Sequence, residues 1–308
     1  RARLVTHDSI AVGDRRITAP KIIIATGGRP VMPPIPGLDT VDALTNDSVF
    51  SLSSLPASMT IVGGGPIGCE LAEAFARLGT AVTLVEGLPR LLAREEPDAS
   101  AVVERSLAGL GVRVMTGVLI ERVESTAMGS VRIFVDGQEI VTDKLLMAVG
   151  RVPNAEELGL DELGIELTEG SYIKTDDRLS TNVRGVYAAG DVTGKLAFTH
   201  AADEMGRLAA GNALGKGQRG RYRTHWIPWV TFTSPEVARI GMTEAVAAAH
   251  GGRVAELPLS EIDRAITDGS EDGFIKLIVG PKRITRGLFG GQLIGATIVA
   301  PRAGEMIH

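Results

Sequence analysis

The sequence predicts an α/β fold. It comprises two Rossmann-like, three-layer nucleotide domains, the first incomplete and split in the chain around the second, and a truncated α+β unit at the end. Three observations carry this. A glycine-rich turn at 63–68 joins an apolar strand pattern to an amphipathic helix pattern. A ten-residue segment at 21–30 recurs at 144–153. Beyond Trp226 the alternation of strand and helix patterns gives way to mostly strands.

Residues 1–57 open with short alternating strands, Ala2 to Val5, Ser9 to Val12 and a third around Ile17, with Gly13-Asp14 as a turn. An apolar strand then runs through Ile22-Ile23-Ile24 into Thr26-Gly27-Gly28 and Pro30. Pro33, Pro34, Pro36 and Gly37 mark an extended connection. Asn46 to Leu55 reads as a short capped helix or turn.

Residues 58–150 hold the central motif. Thr60-Ile61-Val62 leads into Gly63, Gly65 and Gly68, an amphipathic run reaches Leu78, Gly79 stops it, and a β-rich run ends on Glu86. This is G-x-G-x-x-G between strand and helix, with an acid closing the next strand. Gly63 permits the tight turn, Gly65 lets a pyrophosphate approach, and Gly68 lets helix and strand pack closely. The helix N-terminus offers free N–H groups and partial positive charge to phosphates. Glu86 stands 18 positions past Gly68, where an acid accepts hydrogen bonds from a ribose 2′-hydroxyl. A plain strand–turn–helix explains the glycines alone, but not the whole ordered set. Asp98 starts a second helix, Val112 to Met115 is a strand, and 118–142 alternates with turns at Gly129 and Asp136-Gly137.

The echo compares Lys21-Ile-Ile-Ile-Ala-Thr-Gly-Gly-Arg-Pro30 with Lys144-Leu-Leu-Met-Ala-Val-Gly-Arg-Val-Pro153. Both follow a small antiparallel meander, which indicates a duplicated unit. The first copy's own glycine fingerprint is then expected upstream of Arg1, and both chain ends read as cuts through a longer protein. Residues 151–225 return to the first domain: a polar stretch to 180, a strand ending on Asp191, and a helix that Thr199 can cap and Gly215 stops. Asp191 is placed for a ligand hydroxyl, against the alternative of an ordinary turn aspartate. Residues 226–308 carry strands at 228–232, 274–279 and 293–299, and a helix capped by Thr243 that runs to His250.

Composition limits the function classes. The net charge of −5 argues against a general nucleic-acid partner, and the basic stretch 216–223 reads as a solvated loop. No apolar run approaches the roughly 20 residues of a membrane span. Cys69 is the single cysteine, so no disulfide framework exists within the chain; its position in the first turn of the nucleotide helix reads as small-residue packing. No metal-ligand cluster is evident, and no histidine is assigned a proton-transfer role.

These motifs converge. ATGGRP at 25–30, GGGPIGCELA at 63–72, AVGRVPN at 148–154, YAAGDVTG at 187–194 and PWVTFTSPEVARIGMTE at 228–244 together resemble the pyridine nucleotide–disulfide oxidoreductases, in the dihydrolipoamide dehydrogenase and mercuric reductase branch. The resemblance implies NAD held by Gly63, Gly65, Pro66, Ile67, Gly68 and Glu70, with Glu86 on the ribose and Val118 and Gly150 completing the pocket. It implies FAD contacts at Thr26, Gly27 and Gly28, and at Asp191. Ala197, Phe198, Thr199 and His200 would bring a helix N-terminus toward the flavin ring, where its dipole favours reduced, anionic flavin. It also implies a homodimer through 226–308, a small-molecule or disulfide substrate, and a cytoplasmic enzyme.

The family chemistry further requires a cysteine pair and a C-terminal His–Glu pair. Neither occurs in these residues, so no catalytic residue is assigned, and His308 is not given that role. The parent is expected to pass electrons between NAD(P)H and a disulfide, dithiol or metal ion. A flavoprotein reductase for ferredoxin or quinone-like acceptors is the alternative enzyme, and a non-catalytic nucleotide-binding module the alternative class. NAD is favoured over NADP because Glu86 would repel a 2′-phosphate, although Arg90 lies four positions on.

Overall fold

The computed structural model describes residues 2–215, 220–281 and 291–308. It divides into two compact units, Arg1–Arg29 with Arg151–Ile227, and Pro30–Gly150 with Pro228–His308. Of the basic stretch expected as a loop, residues 216–219 lie outside the described residues.

In the first unit, strands Ala2–Thr6, Ser9–Val12 and Arg15–Thr18 form the antiparallel meander. Ile22–Ile24 then pairs in parallel with Val186–Ala188. Leu4, Ile24, Ile173, Val186, Ala188 and Val192 pack into one core. The Thr199–Leu214 helix buries Ala201, Met205 and Ala209 against Leu179, Tyr222 and Ile227. The expected cap is shifted by one residue. Phe198 has the extended backbone of the N-cap position and Thr199 is the first helical residue. Gly215 ends the helix with φ +64°, a left-handed conformation that suits glycine.

The second unit contains a five-stranded parallel sheet in the order Leu44–Thr45, Lys144–Met147, Ser58–Val62, Ala81–Glu86, Arg113–Thr116. Its central strands are apolar on both faces because helices and a meander cover them. Leu44–Thr45 was not expected as a strand, and the helix or turn was expected over Asn46 to Leu55. Leu44–Thr45 pairs with Leu146 and Met147 at the sheet edge, and the helical part shrinks to the single turn Val49–Ser51. The Pro66–Arg77 helix carries proline at its first turn, where no hydrogen bond is lost. Gly79, at φ +97°, turns the chain back toward the sheet. The Pro97–Gly109 helix starts one residue before the expected Asp98. The second meander runs Ile120–Ser125, Val131–Val135, Gln138–Thr142.

The C-terminal part of this unit is a five-stranded sheet with antiparallel pairing, in the order Trp229–Thr231, Glu236–Gly241, Gln292–Ala300, Phe274–Gly280, Arg253–Pro258. Val237, Phe274 and Val299 share a core with Leu91, Val103 and Leu107. Arg253–Pro258 was not expected as a strand. Its sequence, RVAELP, is mostly exposed and has no apolar alternation to announce it. Thr243 does cap its helix, accepting from Val246 N, but the helix ends at Ala248 rather than His250.

Candidate functional site

The parallel sheet reverses its order between Ser58–Val62 and Lys144–Met147, and such a switch point opens a crevice at the strand ends. Gly63 follows the first of these strands and Gly150 lies shortly after the second. Gly63 takes φ +109°, and a Cβ there would sit 2.4 Å from Ala148 O. A Cβ on Gly68 would stand 1.8 Å from Gly63 O, so helix and strand meet only through glycine. By contrast, a Cβ built at Gly65 meets no atom within 4 Å. The backbone there faces open space, as a pyrophosphate requires. Pro66 has no N–H, and Ile67 and Gly68 open the helix with amides that have no intrahelical acceptor. This cradle fits a dinucleotide.

Glu86 closes its strand beside that cradle. Its carboxylate accepts from Gly64 N at 2.5 Å and Leu88 N at 2.7 Å. Each oxygen keeps lone-pair capacity for a ribose hydroxyl. Val118 joins it, donating its N–H to Glu86 O at 3.2 Å. Arg90 turns elsewhere. Its guanidinium donates to the carbonyls of Leu92, Ala93 and Glu95 and to Ser100 Oγ.

Glu70 lies on the same helix but its carboxylate reaches the residue just past the strand Trp229–Thr231, accepting from Phe232 N at 2.8 Å. Burial pushes its carboxyl above the usual range, and the Phe232 amide opposes that shift. Cys69 is fully buried behind the fingerprint. Burial, then the charges of Glu70, Glu86 and Glu73, push its thiol far upward, which leaves it inert.

The first unit collects a second set of expected residues. Thr26 Oγ1 donates to Asn154 O at 2.7 Å, Asn154 Nδ2 returns a bond to Thr26 O at 3.0 Å, and Asn154 N donates to Gly27 O at 2.9 Å. Gly27 has φ +70° and open space where a Cβ would stand. A Cβ on Gly28 would lie 3.5 Å from Asp191 Cβ, so these two adjoin. Asp191 follows Gly190, whose φ of +80° demands glycine, and begins a single 3-10 turn. Ala197 and Phe198 lead into the helix that Thr199 and His200 begin; Phe198 is half-buried and the other three exposed, with the Phe198 and His200 rings stacked at 5.7 Å. A glycine-lined backbone, a carboxylate and a helix N-terminus in one unit suit a second, hydroxyl-bearing nucleotide.

Sequence reasoning gave no part to Arg151, although it stands in the AVGRVPN motif. Its Nε donates to Asp191 Oδ2 at 3.1 Å, and a terminal nitrogen donates to Gly28 O at 2.6 Å. The partners are 40 and 123 residues away in the chain, so no local pattern signals them. Among the described residues, no cluster of histidine, cysteine or acidic groups is suited to a metal ion.

Comparison with known proteins places these motifs. A family model described as pyridine nucleotide-disulphide oxidoreductase matches residues 1–206, and the dimerisation-domain model of the same family matches 227–308. A mercuric reductase of Staphylococcus aureus is 36% identical over 312 residues, covering 100% of this chain and 56% of the relative. A dihydrolipoyl dehydrogenase of Halobacterium salinarum is 34% identical, covering 98% of this chain and 63% of the relative. The HOCl-induced flavoprotein disulfide reductase RclA from Escherichia coli superposes with a TM-score of 0.86 at 31% identity, over 99% of this chain and 69% of RclA. The chain thus spans about half the length of the mercuric reductases it matches. It belongs to the pyridine nucleotide-disulphide oxidoreductase family.

Proposed function

We propose that the full-length protein is an FAD-dependent, NADH-linked oxidoreductase that delivers electrons to a disulfide, dithiol or metal-ion substrate. The observation that carries this is the occurrence of two glycine-and-acid nucleotide sites, one per unit, in a chain whose C-terminal part matches the family's dimerisation domain. That match favours a disulfide reductase over a reductase for ferredoxin or quinone-like acceptors, and over a module without turnover.

In this reading residues 1–57 and 151–225 build the flavin domain, 58–150 the NAD domain and 226–308 the dimerisation domain. FAD, when bound, supplies the two-electron chemistry that couples hydride donation to thiol exchange. Gly63, Gly65, Pro66, Ile67 and Gly68 cradle the pyrophosphate of NAD, and Gly150 and Val118 border it. Glu86 accepts from the adenosine ribose. Glu70 braces the nucleotide helix against the C-terminal sheet. Thr26, Gly27, Gly28 and Asp191 hold the flavin nucleotide, and the helix beginning at 197–200 directs partial positive charge toward it. NADH is preferred because Glu86 repels a 2′-phosphate while Arg90 is engaged with carbonyls.

No helix among the described residues is long and apolar enough to cross a membrane, and a cytoplasmic homodimer remains part of this proposal. The test is steady-state turnover of the purified full-length protein with NADH against lipoamide, a small dithiol-linked disulfide, and mercuric and cupric ions. NADH oxidation that depends on one of these acceptors supports the reading. Oxidation only with quinones or ferredoxin overturns it.

A further inference from the structure

The Arg151–Asp191 ion pair brings a cation directly to the residues expected to hold the flavin nucleotide. We propose that Arg151 is a positioning residue for this site: it locks Asp191 and the Gly28 backbone into one arrangement and leaves Asp191 Oδ1 to the ligand. This rests on the reading that FAD occupies the residues around Gly28 and Asp191.

The geometry is over-determined at Arg151. Its strand, Arg151–Pro153, pairs with Gly28–Pro30. Its carbonyl accepts from the Tyr172 hydroxyl at 3.0 Å. The Tyr172 ring is itself fixed against Gly194, where an added Cβ would approach the ring to 2.6 Å. From this anchored backbone the guanidinium spans two targets, Asp191 Oδ2 and Gly28 O. A planar fork of fixed donors suits that double reach, whereas an ammonium makes a single point contact.

Two consequences follow for the ligand. Asp191 is a short side chain whose carboxylate plane rotates freely unless held. With Oδ2 committed to Arg151, the rotamer is set and Oδ1 has a fixed direction. The flavin nucleotide also carries an anionic pyrophosphate, which an uncompensated carboxylate would repel. The half-buried Arg151 cation, with side-chain exposure of 25%, offsets that charge within a few ångströms. Gly28 completes the arrangement, since a Cβ there would stand 2.8 Å from Val152 O. The whole arrangement joins the first and second copies of the duplicated segment.

The test is a double-variant cycle on the full-length protein stripped of flavin, read as the dissociation constant for added FAD from flavin fluorescence. Asp191→Asn is expected to weaken FAD by about tenfold or more, the loss of a charge-assisted hydrogen bond. Arg151→Met is expected to weaken it by about tenfold, and Arg151→Lys by less. Because Arg151 acts through Asp191, the double variant Arg151→Met/Asp191→Asn should bind FAD as Asp191→Asn does, within about twofold. Losses that multiply in the double variant, or an Arg151→Met protein that binds FAD normally, overturn the inference while leaving the flavin reading intact. An Asp191→Asn protein with unchanged affinity overturns both. Should Arg151→Met not fold, Arg151→Gln, which also removes the cation, runs the same cycle with the same criteria.

Discussion

Glu86 and Arg90 stand four positions apart and have opposite charge, and in the proposed function the one that faces the adenosine ribose sets the cofactor preference. Glu86 is pinned by Gly64 N and Leu88 N at the strand end. Arg90 is pinned by three carbonyls of the segment that follows. Releasing it toward a 2′-phosphate would orphan those carbonyls, at about 1–3 kcal/mol for each that stays buried. A carboxylate about 4 Å from a phosphate costs roughly 4 kcal/mol at an effective dielectric near 20, an upper guide in a partly solvated site. Even a third of that gives about tenfold preference. We therefore expect the full-length enzyme to prefer NADH in kcat/KM by tenfold or more, and Glu86→Ala to erode the ratio toward unity. Arg90→Ala should leave the ratio in place. A wild-type preference for NADPH, or a ratio unmoved by Glu86→Ala, would make another residue the selector. The sequence displayed the Glu86 position plainly, because strand period and glycine spacing are local. It did not display where Arg90 points, because that depends on a loop carbonyl cage only the folded chain supplies.

At the scale of elements, the nucleotide domain is fastened to the C-terminal sheet by carboxylates. Glu73, Glu95 and Glu96 are buried. Glu95 Oε2 accepts from Arg239 Nε at 2.7 Å and its Oε1 accepts from the Trp229 indole at 2.8 Å, while the guanidinium stacks over the same indole at 4.1 Å. Glu96 accepts from Glu244 N and Glu73 from Ser234 N. Lys276, 2% exposed, joins Asp98, Glu244 and Glu256. Burial lowers its pKa, but the hydrogen bonds it donates to Glu244, Asp98 and Glu256 outweigh this and hold the ammonium above its ordinary value. Breaking one partner of a buried pair strands the other. Glu95→Ala is thus expected to cost about 3–5 kcal/mol in urea unfolding, and Glu95→Gln less, since it keeps an acceptor for Trp229. A loss below about 1 kcal/mol for Glu95→Ala would mean that the pair is solvated. None of this seam was legible beforehand. Helices and strands announce themselves by period within a dozen residues, whereas Glu95 and Arg239 meet across 144 positions. The missed strand Arg253–Pro258 has a related cause: its place in the sheet comes from pairing with Phe274–Gly280, not from its own pattern.

At the scale of the molecule, the recurrence of 21–30 at 144–153 suggested a duplicated unit. The last residues of the two similar segments pair as the short strands Gly28–Pro30 and Arg151–Pro153. The family follows from motifs in fixed order, and the fold class from the same order. The substrate does not: among the described residues no cluster is suited to a metal ion, and the cysteine is buried. We propose assembly through the C-terminal sheet, where Leu257 and Leu277 lie exposed on neighbouring strands. A standard interface buries roughly 800 Å² per partner, and we expect sedimentation of the full-length protein to give a dimer that Leu277→Asp dissociates. A wild-type monomer with full activity would remove the dimer from the account. The central claim is that NADH reduces a flavin held by this protein. Anaerobic titration of the purified full-length protein with NADH, followed by visible flavin absorption, tests it most directly. The account predicts a yellow protein that bleaches with near-stoichiometric NADH and needs more NADPH. A protein purified without flavin that fails to bind added FAD, or bound flavin that neither nucleotide bleaches, would contradict it.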